Sequence, residues 1–393
     1  MKILNVIPYW GPEYGGVFTN AVNICANAIA RGHEASILTT ASPKKTNPDN
    51  FPWFIGNTKI EIPIRYCGCY ERYFHFSPEF VKIFDSISAG FDLVLIHGLW
   101  QFPTSYAAFR CKKSAIPYAV ITYGMLSSWS LSNRYFRKKV YFNLVERSNL
   151  DRAKVLFYIK EDELNILSRY SIHAKKIHLL YSLNRNDVVH IKQERDEYKK
   201  ENPSGTIDIL YLSRIHPKKG LMLLLEAFLE IMKTRPSVKL TVAGPAEDMR
   251  YYNMARDFVT SHKLDGSVTF AGALFAKDKD ALFLKTDIFV LPTADDSQPI
   301  VVLEALGAGI PVITTKGADM PEIDNTMGYI IDPNPHELAK VVTSLADDKK
   351  RAKEMGEKGH QYILAQHTWD KNFDIFMEEC KNAVSGKETG CQK

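Results

Sequence analysis

The sequence predicts an α/β protein in which two doubly wound domains follow one another along the chain. Short apolar runs typical of buried parallel strands alternate with segments of helical periodicity. This alternation occurs in two series, and a polar, charged stretch without a periodic apolar face separates them. At 393 residues the chain is long enough for two or three domains, so a tandem arrangement is expected.

The first series begins at the N-terminus with an apolar run, residues 3–7, that ends in a loop rich in Gly, Pro and aromatic residues. Apolar residues at helical spacing follow from Val17 to Ile29, and Gly32 suits the end of that helix. Residues 35–39 are the next predicted strand, which completes a β-α-β unit. Two further strands are predicted in this domain, at 93–96 and 118–122.

The second series follows residues 186–206, which are polar, contain Asn-Pro-Ser-Gly near their end, and are interpreted as a linker. A Rossmann-like domain is therefore predicted on each side, over 1–185 and 207–366. Strands of the second domain are predicted at 207–212, 238–243, 267–270, 288–291 and 312–314, and helices at 221–232, 249–262, 277–285 and 300–308. We expect the ligand site in the cleft between the domains.

Composition excludes several classes of protein. Hydrophobic residues make up 45% and charged residues 24%, which is typical of globular proteins and excludes collagen-like, disordered and disulfide-scaffold chains. The net charge of +5 is too small to indicate a nucleic-acid partner. The six cysteines form no C-x-x-C pair, which favours reduced thiols over a metal site. With no signal-peptide pattern and no membrane-length apolar run, we predict a cytoplasmic protein that can attach to a membrane surface.

The first candidate site follows the first strand of the second domain, where residues 213–220 read Ser-Arg-Ile-His-Pro-Lys-Lys-Gly ahead of a helix. Cations at the carboxyl end of a strand, facing a helix N-terminus, form a natural phosphate site. Arg214 and Lys219 are the candidates for this role. The alternative is a solvated basic loop.

The second candidate is the run from Asp296 to Glu304, with Pro299 suited to the first helical position. The first backbone amides of such a helix, here those of Ile300 and Val301, can hold an anion. Glu304, about one turn further on, can accept hydrogen bonds from hydroxyl groups. The alternative is a simple helix-capping device.

Together these segments resemble the family 4 glycosyltransferases, which have the two-domain GT-B architecture. The resemblance covers nearly the whole chain and rests on several strings in order: Gly15-Gly16, Gly32-His33-Glu34, Leu212 to Gly220, Val242-Ala-Gly244-Pro, and an acid pair of the E-x7-E type from Asp296 to Glu304 that runs into Glu-Ala-Leu-Gly-Ala-Gly-Ile-Pro-Val-Ile. It also implies that residues 367–383 form a helix that crosses back to pack on the first domain. Residues 384–393 are then a frayed tail.

The resemblance implies a retaining, metal-independent transferase that moves a hexose-type sugar from a UDP- or GDP-linked donor. The first domain would bind a glycan or glycolipid acceptor and the second the nucleotide sugar, in the synthesis of surface polysaccharide or glycoconjugates. Arg214 and Lys219 would bind the diphosphate and neutralise the charge that develops on it. No cofactor or metal is expected, because the nucleotide sugar is a substrate and the two cations replace a metal.

The same resemblance assigns roles to four further residues. Glu304 would hold the donor ribose, and Asp296 would meet sugar hydroxyls. The backbone at Gly15 and Gly16, which lacks side chains, would approach the phosphates or the acceptor from the first domain. Asp296 departs from the commoner Glu and is one methylene shorter, which leaves the donor preference open.

A second departure lies in the first domain, where Tyr123 stands in the place of a family His before Gly-Met-Leu. A phenol cannot act like an imidazole at neutral pH, but it can donate a hydrogen bond. We predict that Tyr123 shapes the sugar or acceptor site through its hydroxyl, with Gly124 allowing close backbone approach. Packing in the core is the alternative. His97 ends a strand, and it can face the cleft or be a structural loop residue.

Residues 134–154 contain seven basic and two acidic residues interleaved with aromatic ones. Such an amphipathic, cationic stretch can rest on anionic lipid, and the alternative is a solvated helix face over the core.

Two other functions of the whole protein stay open. One is a different GT-B reaction, such as a phosphorylase or an epimerase. The other is a non-catalytic nucleotide-sugar-binding subunit. The departures at Tyr123 and Asp296 are the arguments for it, and the retained Arg214, Lys219 and Glu304 argue against it.

Overall fold

The computed structural model describes residues 1–11, 14–41, 53–55, 58–70, 74–132, 135–274 and 277–386. Arg134, Cys391 and the tail residues 387–393 lie outside the described part of the chain. Contacts divide the chain into two compact units. The first unit comprises Met1–Tyr181 together with the chain from Trp369 onward, and the second comprises Ser182–Thr368.

The first unit is built on a parallel sheet of seven strands in the order β5-β2-β1-β6-β7-β8-β9. Its first elements are β1 (Lys2–Ile7), α1 (Gly16–Ala30), β2 (Glu34–Ala41), β3 (Trp53–Ile55), β4 (Thr58–Ile60), β5 (Ile64–Gly68), α2 (Pro78–Ile87), β6 (Leu93–His97) and α3 (Phe102–Lys113). They continue with β7 (Tyr118–Ile121), α4 (Ser128–Ser132), α5 (Tyr135–Tyr141), α6 (Arg147–Asp151), β8 (Val155–Tyr158), α7 (Glu161–Arg169) and β9 (Lys175–His178). A π-helical turn, Phe142–Glu146, joins α5 to α6. The central strands β6, β7 and β8 are buried along their whole length, which explains their unbroken apolar runs.

The second unit is built on a parallel sheet of six strands in the order β12-β11-β10-β13-β14-β15. Its first elements are α8 (Arg185–Glu201), β10 (Ile207–Leu212), α9 (Leu221–Thr234), β11 (Val238–Ala243), α10 (Met249–Ser261), β12 (Val268–Gly272) and α11 (Lys277–Lys285). They continue with β13 (Ile288–Leu291), α12 (Ile300–Gly307), β14 (Val312–Thr315), β15 (Gly328–Ile331), α13 (Pro335–Asp347) and α14 (Lys349–Gln366). The two parallel sheets with their crossover helices confirm the predicted fold class.

The last helix, α15 (Trp369–Ser385), belongs to the first unit. Phe376 of this helix packs on Phe157 of β8, with ring centroids 4.7 Å apart. The Arg31 guanidinium lies 4.6 Å from the centroid of the Phe373 ring. The helix thus covers the sheet of the first unit with an apolar face.

The interpretation of residues 186–206 as a linker missed a helix, because most of this segment forms α8. Val188 is its buried residue, and the helix packs mainly through long polar side chains. Arg195 donates to the carbonyl oxygen of Thr286, and Lys199 pairs with Asp287 at 2.7 Å. A helix held by the charged ends of its side chains has no apolar stripe, so the helical period is missing from its sequence.

Both sheets have a switch point. The chain first adds strands on one side of the first strand and then adds the later strands on its other side. In the first sheet it lies between β1 and β6, and in the second between β10 and β13. Ligands of doubly wound sheets bind outside the carboxyl ends of the strands at such points. The fold therefore directs attention to the loops that follow these four strands.

Candidate functional site

The loops after β10 and β13 are tied together at the switch point of the second sheet. The backbone amide of Ala294 donates to the carbonyl oxygen of Lys218 at 2.8 Å, and the Thr293 hydroxyl donates to the same oxygen at 3.2 Å. Gly220 has φ +73°, and a Cβ there would lie 2.1 Å from the carbonyl oxygen of Pro292. Glycine at this position therefore allows the two loops to meet.

Two ion pairs cross between these loops. Nζ of Lys219 lies 2.7 and 2.5 Å from the two carboxylate oxygens of Asp296, and Nζ of Lys218 lies 3.0 Å from Asp295. The Lys219 side chain is only 8% exposed. Burial lowers the pKa of its ammonium group, and the facing Asp296 carboxylate opposes that shift. Two residues predicted from the sequence, Lys219 and Asp296, are thus in direct contact.

Asp296 is held in place by the backbone around it. Its amide donates to the carbonyl oxygen of Gly317 at 2.6 Å, and the amide of Gln298 donates to Ala318 at 3.2 Å. Pro299 is the N-cap of α12, one position earlier than predicted. Ile300 and Val301 form the first turn and are half-buried, and their amides have no acceptor within the helix itself.

Arg214 lies on the same loop as Lys219 but is more exposed. Its guanidinium pairs with Glu247 at 2.8 Å, and the two side chains are 43% and 44% exposed. Arg214 also contributes to lowering the pKa of Lys219, as expected for a neighbouring positive charge. Glu247 was not among the residues predicted from the sequence.

Glu304 makes an ion pair that the sequence did not predict. Its Oε1 atom lies 2.6 Å from Nζ of Lys279 on α11. Burial acts to lower the pKa of Lys279, but the Glu304 carboxylate, with smaller contributions from Asp280 and Asp187, outweighs it and raises that pKa. One side-chain oxygen of Glu304 is therefore engaged by Lys279.

In the first unit, Gly15 and Gly16 stand at the start of α1, directly after the loop that follows β1. Gly15 is the N-cap with φ +64°, and no atom lies within 4 Å of where its Cβ would be. Gly16 is the first residue of the helix, and both glycines are half-buried. The start of α1 therefore presents backbone without side chains, and the predicted approach of this backbone to phosphates or acceptor stays a prediction.

His97 and Tyr123 are brought together in a chain of buried hydrogen bonds. Nδ2 of Asn20 donates to the Tyr123 hydroxyl at 3.0 Å, and that hydroxyl lies 2.8 Å from Nδ1 of His97. Nε2 of His97 lies 3.0 Å from Oδ1 of Asn5. Burial lowers the pKa of His97 to about 3, so the ring is neutral, accepts from Tyr123 and donates to Asn5. This arrangement favours the core alternative for Tyr123 over a hydroxyl directed at a substrate, and a structural role for His97 over one that faces the cleft.

Gly124 is part of a turn organised by a buried carboxylate. Oε2 of Glu163 accepts from the amide of Gly124 at 3.1 Å, and Oε1 accepts from the amide of Leu126 at 3.2 Å. Tyr123 and Gly124 both have positive φ, 55° and 70°. Glu163 therefore holds the turn after β7 in a conformation that is unfavourable for Tyr123.

Some of these contacts could have been found in the sequence. The doubled Lys218-Lys219 and Asp295-Asp296 pairs follow neighbouring strands, which is a signal for paired ion contacts across a switch point. Glu163, Asn5 and Asn20 carry no such signal. Among the residues that the structure describes, no three His, Cys, Asp or Glu side chains lie close enough to hold a metal ion.

Comparison with known proteins identifies the family. The model for glycosyl transferases group 1 matches residues 192–362, and the model for Glycosyltransferase Family 4 matches residues 14–182. A phosphatidyl-myo-inositol mannosyltransferase of Mycobacterium tuberculosis is 23% identical over 95% of this chain and 93% of its own. A D-inositol 3-phosphate glycosyltransferase of Paenarthrobacter aurescens is 28% identical over 45% of this chain, and the aligned part spans less than half, 44%, of that relative.

Solved structures share the fold. HepE of Anabaena, solved in complex with UDP and glucose, superposes with a TM-score of 0.75 at 16% identity, covering 97% of this chain and 99% of its own. WaaG, a glycosyltransferase involved in lipopolysaccharide biosynthesis, gives a TM-score of 0.72 at 15% identity, covering 98% and 100%. The two family models match in order along the chain and together take in most of it. The chain therefore belongs to the family 4 glycosyltransferases, with the GT-B architecture.

Proposed function

We propose that this protein transfers a hexose-type sugar from a nucleoside diphosphate sugar to a glycan or glycolipid acceptor, with retention at the anomeric carbon. The observation that carries the proposal is the buried Lys219–Asp296 pair at the switch point of the second sheet. A buried ammonium that faces a carboxylate can exchange that partner for a phosphate, because both are anions of similar hydrogen-bonding geometry. No cofactor or metal is part of the proposal.

The predicted residues of the second unit then have the following roles. Lys219 and Arg214 bind the diphosphate and stabilise the charge that builds on it as the glycosidic bond breaks. Asp296, released from Lys219, accepts hydrogen bonds from sugar hydroxyls. Glu304 accepts from the ribose, with Lys279 holding its carboxylate in position. The amides of the first turn of α12 lie next to Asp296 and add donors for an anion.

The relatives support the class of donor and acceptor. HepE was solved with UDP and glucose, and a mannosyltransferase of Mycobacterium tuberculosis that is 28% identical over 41% of this chain is named as GDP-mannose-dependent. Several relatives act on phosphatidylinositol glycolipids by name, and one on lipopolysaccharide. We therefore propose UDP or GDP as the nucleotide and a role in surface polysaccharide or glycoconjugate synthesis, at the cytoplasmic face of a membrane.

The test is a thermal-shift screen of UDP, GDP and their sugars, followed by product analysis. A nucleotide at 100 times its dissociation constant should stabilise the protein by about 2.7 kcal/mol. Product analysis with the nucleotide sugar that binds should then show a linkage with the same anomeric configuration as the donor. Product should form only when acceptor is present. Product formed without acceptor would indicate an epimerase, and sugar phosphate formed from a glycan would indicate a phosphorylase. Binding without any turnover would indicate a nucleotide-sugar-binding subunit.

A further inference from the structure

The helical segment formed by α5 and the π-helical turn carries an apolar stripe on its outside. Phe136, Val140 and Leu144 follow one another at intervals of four residues and are 81%, 52% and 77% exposed. Residues at this spacing lie on one face of a helix. The same segment turns Phe142 inward, where its ring packs 4.4 Å from that of Tyr170. The exposed stripe is therefore additional to the residues that hold the segment on the core.

Cationic side chains flank the stripe. Arg137, Lys139 and Arg147 are exposed on the same segment. The one acidic residue between positions 135 and 148 is Glu146, which is buried and accepts from the amide of Trp100 and the hydroxyl of Ser105. The outer side of this segment thus combines large apolar side chains with positive charge.

Helix α3 lies beside this segment, since the Tyr141 hydroxyl donates to the hydroxyl of Ser105 at 2.8 Å, and α3 carries a further exposed aromatic residue. Phe109 is 47% exposed, and Nζ of Lys112 lies 5.8 Å from the centroid of its ring. The same ammonium donates to the hydroxyl of Ser148 at 2.9 Å, which joins α3 to α6. The carboxylate of Asp85 beside α3 is paired with Arg110 at 2.7 Å. We call the stripe, its flanking cations, Phe109 and Lys112 the α5–α3 surface.

We propose that the α5–α3 surface lies on a bilayer that contains anionic phospholipid. An interfacial helix buries its apolar side chains at the boundary between headgroups and acyl chains, and its cations contact lipid phosphates. Large exposed apolar patches on a folded protein mark interaction sites, and the positive rim selects an anionic partner. In the part of the chain that the structure describes, no helix has the length and hydropathy needed to cross a membrane.

The position of the surface fits the proposed function, although it does not depend on the donor reaction. The segment begins shortly after the turn at Tyr123 and Gly124, which follows the carboxyl end of β7. Nζ of Lys138 lies 5.6 Å from the centroid of the Trp100 ring, and Trp100 follows the carboxyl end of β6. A bilayer against this segment would therefore lie near the end of the sheet at which Gly15 and Gly16 follow β1. Lipid-linked acceptors would then reach the first unit without leaving the membrane.

The experiment is sedimentation of the full chain with vesicles of phosphatidylcholine alone or mixed with phosphatidylglycerol. We expect binding to the mixed vesicles that weakens as salt is raised, because the cations act through screened charges. The double variant Phe136→Ser with Leu144→Ser should lower the partition constant by at least about tenfold, since two large apolar side chains no longer enter the interface. The variant Arg137→Gln with Arg147→Gln should bind more weakly and with a smaller salt dependence.

The matched control is Met254→Ser with Ile375→Ser, which removes two exposed apolar side chains outside the surface and should bind like the unaltered protein. Nucleotide thermal shifts in every variant separate this proposal from the proposed function and show that the variants are folded. The proposal is overturned if the unaltered protein does not bind mixed vesicles, or if both α5–α3 variants bind as it does. Self-association that disappears in these variants, without vesicle binding, would assign the surface to a protein interface instead.

Discussion

The hydroxyl oxygen of Tyr123 lies 2.8 Å from Nδ1 of His97, inside a chain of hydrogen bonds that continues to Asn20 on one side and Asn5 on the other. The chain links α1, β1, β6 and the turn after β7. Asn5, Asn20 and His97 are almost completely buried, and Tyr123 is 9% exposed. Tyr123, which stands where the family has His, therefore has a buried hydrogen-bond acceptor for its hydroxyl in Nδ1 of His97.

Tyr123→Phe should lower the free energy of unfolding by about 1–3 kcal/mol, because it leaves Nδ1 of His97 and Nδ2 of Asn20 buried without a partner. Urea denaturation measures this change. Tyr70→Phe is the control, since the Tyr70 side chain is 61% exposed and its loss of a hydroxyl should have little effect. Unchanged stability with reduced transfer would instead show that the hydroxyl acts on substrate, as the sequence motif predicted.

The neutral state of His97 predicts a dependence of stability on pH. Burial lowers the pKa of His97 from 6.5 to about 3, so between these values the unfolded chain binds a proton that the folded chain does not. The contribution of His97 is complete above pH 6.5 and is lost as the pH falls toward 3, with a slope approaching about 1.4 kcal/mol per pH unit.

Urea denaturation between pH 4 and 7 compares the unaltered protein with His97→Gln and with the control His190→Gln, whose ring is 71% exposed. The His97 variant should show the shallower dependence on pH, and the control should not. Equal slopes in all three proteins would mean that His97 is protonated in the folded state.

The alternation of strands and helices was predictable because parallel strands covered on both faces are apolar throughout. Strands at 207–212, 238–243 and 288–291 were predicted with the bounds that the structure gives. The helix α8 was missed, since its contacts use charged side-chain ends such as Arg195 and Lys199 and leave no apolar period. Periodicity reports buried apolar faces, so it cannot detect an element held by polar contacts.

The Lys279–Glu304 ion pair predicts a positioning role for Lys279. Glu304→Ala should raise the nucleotide dissociation constant by about tenfold or more, on the scale of ~1.5–3 kcal/mol for hydrogen bonds to a charged group. Lys279→Met should weaken nucleotide binding less and should add little to the effect of Glu304→Ala in the double variant, because Lys279 acts through Glu304.

Calorimetry of nucleotide binding measures all three variants, and Lys277→Met on the same helix is the control because its side chain is exposed. Additive losses in the double variant would show that Lys279 does not act through Glu304. Unchanged affinity in a folded Glu304→Ala variant would refute the ribose role itself.

The Lys219–Asp296 pair predicts that binding and transfer respond in opposite directions to Asp296→Asn. Without the negative charge, Lys219 no longer exchanges a carboxylate for the diphosphate, so UDP or GDP should bind up to about tenfold more tightly. Transfer should fall, because the sugar loses a charged acceptor. Asp332→Asn is the control, since Asp332 is an exposed carboxylate that also faces a lysine. Weaker nucleotide binding in Asp296→Asn would contradict this account of the pair.

The candidate site residues and their ion partners were predictable to different degrees. Arg214, Lys219, Asp296 and Glu304 lie in short motifs, and the structure puts Lys219 and Asp296 in contact although 77 positions separate them. Lys279 was not predictable, because its contact with Glu304 depends on how α11 packs beside α12 and no local pattern encodes that. Motifs identify the residues of a site, while their ion partners emerge from the fold.

The proposed role of Lys219 is to stabilise charge on the diphosphate more strongly in the transition state than in the bound donor. The most direct measurement is kcat for transfer together with the donor dissociation constant, in Lys219→Ala and in the control Lys316→Ala, whose side chain is 84% exposed. We expect Lys219→Ala to lower kcat by about 100-fold or more while the donor dissociation constant rises by less than about tenfold. Near-normal kcat in Lys219→Ala would contradict this role, whatever the result in Arg214→Ala.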